Sequence, residues 1–143
     1  MEFLSPYIVA AAVAWILAQG LKYIILSIKG RKLRTARQLY LSGSMPSAHS
    51  ATVIAVLVVI GATEGVGSAL FGLALLFASV VMYDAVMVRR SSGEQGKALV
   101  ELLKEQKSTV TPPRVAKGHT PFEVAGGVLV GAAVGVVVAV TML

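Results

Sequence analysis

Ser44-Met45-Pro46-Ser47-Ala48-His49-Ser50 is a run of mostly small or polar residues placed directly before an apolar stretch that reaches Gly61. Proline at a helix start presets φ without losing a useful donor, and the hydroxyls around it can satisfy the free N–H groups of a first turn. The stretch therefore predicts a helix over about residues 47–62. Its unpaired amides and the positive end of its dipole face whatever lies in front, a setting that suits an anion such as phosphate. His49 stands at that mouth.

The chain around it is apolar. At 143 residues, with 56% hydrophobic and 14% charged content, it reads as a small integral membrane protein, all-α, a helical bundle of about four transmembrane helices in a single domain over residues 1–143. No cysteine is present, which excludes disulfides, thiolate nucleophiles and zinc–thiolate sites. Upstream, residues 5–28 form a first span without a basic leader, expected to be retained rather than cleaved. Downstream, a glycine-containing turn at 63–67 leads to a third span over 68–88, with Asp84 near its far end and Arg89 and Arg90 closing it. Residues 89–120 make a polar loop in which Gly93 to Lys107 is expected to form a short amphipathic helix on the membrane surface, with Leu99, Leu102 and Leu103 on one face. Thr111-Pro112-Pro113 stops any helix, and 121–143 form the fourth span.

Lysine and arginine near spans stay on the cytoplasmic side. Of 13 basic residues, 12 lie between Lys29 and Arg37 or between Arg89 and Lys117, so both stretches are expected in the cytoplasm and both termini outside, in a multi-pass protein of the cell membrane. The net charge of +6 is then a matter of topology and anionic lipid, with no nucleic-acid partner implied. Both histidines fall on the cytoplasmic side, since His119 precedes the fourth span in Gly118-His119-Thr120-Pro121-Phe122-Glu123. Two helix starts, each with a histidine, and arginines between them make a site for a phosphorylated group. The second span is short, so its mouth lies at lipid depth and favours a lipid phosphate over a soluble one.

Pro46-Ser47-Ala48-His49 resembles the P-S-G-H motif of the type-2 phosphatidic acid phosphatase and vanadium haloperoxidase superfamily, and His119 with Glu123 resembles its later H-x-x-x-D. Met82-Tyr83-Asp84-Ala85, Val88-Arg89-Arg90 and Gly118-His119-Thr120-Pro121 look like its small divergent membrane branch. The resemblance implies a metal-independent lipid phosphatase without a cofactor, working through a phosphohistidine on His119. Glu123 would orient that imidazole and His49 would protonate the leaving oxygen. Ser47 and the backbone amides beside it, with Arg89 and Arg90, would bind phosphoryl oxygens. The family's first motif, K-x6-R-P, is absent, which leaves Lys22, Arg34 and Arg37 as candidates to replace it. Arg89 lies far upstream of His119 compared with the family's S-R arginine, and Arg114 is a nearer competitor.

Other residues carry two readings each. Thr120-Pro121-Phe122-Glu123 is also a capping box, and Ser47 also a plain helix cap. Lys22 and Asp84, each inside an apolar span, are expected to pair in support of the site, with snorkelling of Lys22 as the alternative. Gly127, Gly131 and Gly135 form a small-residue face that serves packing within the chain or a homodimer. The expected substrate is a lipid phosphate or diphosphate, isoprenyl or glycerolipid. A non-catalytic lipid-phosphate binder is the competing class, and a small transporter a third.

Overall fold

The computed structural model describes residues 4–28, 45–113, 115 and 118–143. The basic stretch containing Arg34 and Arg37 lies outside the described residues, as does Arg114. Among the described residues the elements are α1 (Pro6–Ile28), α2 (Ala48–Glu64), α3 (Ala69–Tyr83), a π-helical turn (Asp84–Val88), α4 (Arg89–Glu105) and α5 (Pro121–Met142). Three helical stretches are long and apolar enough to cross a membrane, and α2 is a shorter apolar helix. The fold is a helical membrane bundle.

α2 begins where its sequence predicts, with one shift in detail. Ser47 is the N-cap, its hydroxyl accepting from the Ser50 N–H at 3.4 Å, so Pro46 precedes the cap instead of occupying the first turn. At 17 residues the helix rises about 25 Å, short of the roughly 30 Å of hydrocarbon. It is nevertheless the centre of the bundle: α1, α3 and α5 all pack on it, and α1 also packs on α5.

Small residues permit this. Ala10, Ala14 and Ala18 of α1 are wholly buried against Ala48, Ala51, Ala55 and Val59 of α2. On the other side Gly127 and Gly131 of α5 lie so close to the Ser47 and Ala51 carbonyl oxygens that a Cβ would overlap them, and a Cβ on Gly135 would come within 2.8 Å of the Ala55 oxygen. The glycine face considered for a homodimer is therefore occupied by α2 of the same chain. Backbones that approach this closely gain dispersion contacts that lipid cannot match.

The third helix departs from expectation. It does not end at Arg89 and Arg90 but continues through the π turn into α4, giving 37 helical residues over Ala69–Glu105, about 55 Å in length. Nothing from Arg89 to Ser92 breaks a helix, and a basic pair marks an interface without interrupting the backbone. The expected separate surface helix is thus an extension of the third span. It stops ahead of the prolines, where Lys107 takes a left-handed φ of 48° and the Ser108 N–H reaches back to the Leu103 oxygen at 3.0 Å.

Replacing Gly131 by valine forces α2 and α5 apart and is expected to cost about 1–3 kcal/mol or more, whereas Gly20→Ala, with no atom within 4 Å of the added carbon, is expected to be neutral or mildly stabilising; thermal unfolding in detergent measures both.

Candidate active site

Because α2 and α5 both start at the same end of the bundle, their first turns meet. The Ser47 N–H donates to the Glu123 carbonyl oxygen at 3.0 Å, stitching one helix start to the other. His49, the second residue of α2, is exposed at this mouth, while His119 sits one residue before the cap of α5 and is only 8% exposed.

His119 is held at three points. Its backbone N–H donates to the Ala85 carbonyl at 2.9 Å. That carbonyl is free to accept because the Arg89 N–H, its ordinary partner in an α-helix, bonds to the Asp84 oxygen across the π turn. Before it, Gly118 lies against the Arg90 backbone, where a Cβ would stand 2.5 Å from the Arg90 nitrogen. After it, Glu123 Oε2 lies 3.3 Å from the His119 Nδ1 and accepts the Thr120 N–H at 2.9 Å, while the Thr120 hydroxyl accepts the Glu123 N–H at 3.3 Å. Capping box and imidazole contact therefore coexist on one carboxylate. With Nδ1–H directed at Glu123, the Nε2 lone pair is left for chemistry.

Lys22 completes the inner side. Its side chain descends from α1 with the residue only 4% exposed, and its charge reaches both histidines and Glu123. It makes no ion pair with Asp84. Asp84 instead pairs with Arg89, Nε to Oδ2 at 2.6 Å, because the π turn brings these two residues of one helix together at the rim. Both are partly exposed, so the pair itself adds little stability. Their charges also reach His49.

Two expected phosphate contacts are used otherwise. Ser47 is fully buried, its hydroxyl occupied as the helix cap and as acceptor from the Ser50 hydroxyl at 3.0 Å, so it is a structural residue and does not line the mouth. Arg90 turns to Glu94, one turn along α4, at 3.2 Å. Lys22, Arg89, His49, His119 and Glu123 do gather at one end, and Arg37 is outside the described residues. Sequence reasoning missed the π turn and the role of Gly118; the adjacency of Gly118 to His119 was the only available signal.

A sequence model of the family described as "Divergent PAP2 family" matches residues 3–134. The chain belongs to the divergent PAP2 family. Within reach of this family assignment is a curated relative, the uncharacterized membrane protein YuiD of Bacillus subtilis (strain 168), 33% identical over 147 residues and aligned over 92% of each chain. No solved structure matches. The divergent PAP2 family match covers α1 through most of α5, and thus every residue gathered at the mouth.

Burial holds the His119 imidazole below its ordinary range; Glu123 opposes this and Lys22 reinforces it. By NMR its ring is expected to titrate below about 6.5. Removing the neighbouring carboxylate with Glu123→Gln moves the midpoint further down, and removing the neighbouring ammonium with Lys22→Met moves it up.

Proposed function

We propose that this protein is a membrane lipid phosphatase that hydrolyses a lipid phosphate or diphosphate through a phosphohistidine on His119. The observation that carries the reading is the contact of His119 Nδ1 with Glu123 Oε2, which leaves Nε2 free beside His49 and Lys22 at one mouth. Family membership and the apolar helices support it. The distribution of basic residues supports a mouth at the cytoplasmic face of the cell membrane, with both termini outside.

In the first step the Nε2 lone pair attacks phosphorus and the bond from phosphorus to the lipid oxygen breaks. Protonated His49 gives its proton to the departing oxygen. In the second, water attacks the phosphohistidine, His49 takes the proton, the P–N bond breaks and inorganic phosphate leaves. Glu123 fixes the productive tautomer throughout. Lys22 offsets charge on the phosphoryl oxygens, a task that suits it better than Arg89 because Asp84 already neutralises much of the arginine. A lipid-phosphate binder without turnover is the second reading, favoured by the absent K-x6-R-P motif.

Purified protein assayed on a panel of lipid phosphates, with and without chelator, tests this. Phosphate release is expected to survive chelation and to vanish in His119→Ala, while His49→Ala lowers it on the order of 10²–10⁴-fold and Lys22→Met on the order of 10²–10³-fold. Because His119 acts unprotonated and His49 protonated, kcat/KM is expected to follow a bell-shaped pH profile, rising as His119 loses its proton below about 6.5 and falling as His49 loses its own. Turnover unaffected by either histidine change overturns the mechanism, and binding without turnover on any lipid supports the second reading.

A further inference from the structure

Two backbone N–H groups compete for the Ala85 carbonyl. In an uninterrupted α-helix it accepts from Arg89, four residues on. Here the Arg89 N–H goes to the Asp84 oxygen instead, and the His119 N–H takes the Ala85 carbonyl at 2.9 Å. The chain that brings His119 in is closely seated, since a Cβ on Gly118 would stand 2.5 Å from the Arg90 nitrogen and 2.6 Å from its Cα. Docking of His119 and the π register of the turn therefore go together.

Asp84-Ala85-Val86-Met87-Val88 contains no proline or glycine to force an irregular turn, and π geometry is rare in any sequence. The charged side chains that bracket it supply a reason. In an α-helix residues five apart stand about 140° apart around the axis, which directs Asp84 and Arg89 to different sides. With the bond closed from the Arg89 N–H to the Asp84 oxygen they stack one turn apart, and Arg89 Nε donates to Asp84 Oδ2 at 2.6 Å. An interaction made in one register and absent from the other shifts the balance between them by its own free energy.

We propose that Asp84 is a positioning residue for His119: by pairing with Arg89 it holds the π turn, which leaves the Ala85 carbonyl to the His119 backbone and so fixes where the imidazole stands. The effect runs through the main chain and requires no side-chain contact with the ring. Both members of the pair are partly exposed, so the effect is a bias of a few-fold and not an on-off switch. Arg89 acts here as part of the scaffold, which leaves the phosphoryl oxygens to Lys22. The inference rests on the phosphatase reading only for the chemistry that the placed imidazole performs.

Amide hydrogen exchange of the full chain in detergent micelles, read at the His119 N–H by NMR, tests this without any substrate. Asp84→Ala and Arg89→Ala are each expected to speed that exchange by about two- to fivefold, the worth of an exposed pair, and the double variant to add nothing further. Asp84→Glu, which still reaches Arg89, is expected to keep the original rate, as is Glu94→Ala, which breaks the neighbouring Arg90–Glu94 pair on the same helix. In the lipid phosphate assay the two alanine variants are expected to lower kcat by a similar factor. Exchange at His119 unmoved by Asp84→Ala, additive effects of the two alanines, or an equal effect of Glu94→Ala overturns the proposal. So does a raised KM in Arg89→Ala with His119 exchange unchanged, which makes Arg89 a substrate ligand. The expected exchange pattern with no turnover of any lipid phosphate leaves the anchor and removes the phosphatase; turnover with the exchange pattern absent leaves the phosphatase and removes the anchor.

Discussion

Between α2 and α5 there is little but backbone. Glycine at 127, 131 and 135 allows the carbonyls of Ser47, Ala51 and Ala55 to rest directly on the neighbouring helix, and in a bilayer close packing of this kind is what holds helices together. The contact also fixes height. With the two helices in this register, the first turn of α2 and the cap of α5 fall at the same level, and the Ser47 N–H finds the Glu123 carbonyl. A slip of one helical turn, about 5.4 Å, breaks this register and shifts His49 along the bundle relative to His119. Packing in the middle of the membrane thus sets chemistry at its edge.

The site divides its charges between two pairs of elements. Asp84 and Arg89 belong to one helix and satisfy each other at the rim. Lys22 and Glu123 come from α1 and α5 and sit further in, where each acts on His119 with opposite sign. The π turn makes the division possible. It folds Arg89 back toward Asp84 and, by the same widening, releases the Ala85 carbonyl to hold the His119 backbone. One irregular turn therefore both occupies the outer arginine and anchors the inner histidine, consistent with the tendency of such turns to sit at functional places.

Local signals were readable in the sequence and long-range ones were not. Ser47 and the Thr120-to-Glu123 box announce two helix starts because a cap is a contact between residues three apart. Four apolar stretches and the small residues of α1 and α5 announce a membrane bundle. The convergence of the histidines followed from counting spans, without any knowledge of distance. The partner of Asp84 was misjudged because hydropathy gives depth along a span and says nothing about the π turn that rotates Arg89 to meet it. Ser47 looked available to a ligand because its burial is imposed by α5, seventy-odd residues later in the chain. Arg90 looked equivalent to Arg89, yet one step around a helix is about 100°, enough to send its side chain to Glu94 instead.

The central position of α2 has a consequence for how the molecule is made. Its most extensive neighbour is α5, the last of the described helices to leave the ribosome. Until α5 arrives, the side of α2 that carries Ser47 and Ser50 lacks its partner helix, although α1 and α3 can already flank the rest. Domains and spans emerge in order, and partners that are distant in sequence assemble late. The bundle, and with it the mouth where the histidines meet, is therefore complete only once α5 has been made.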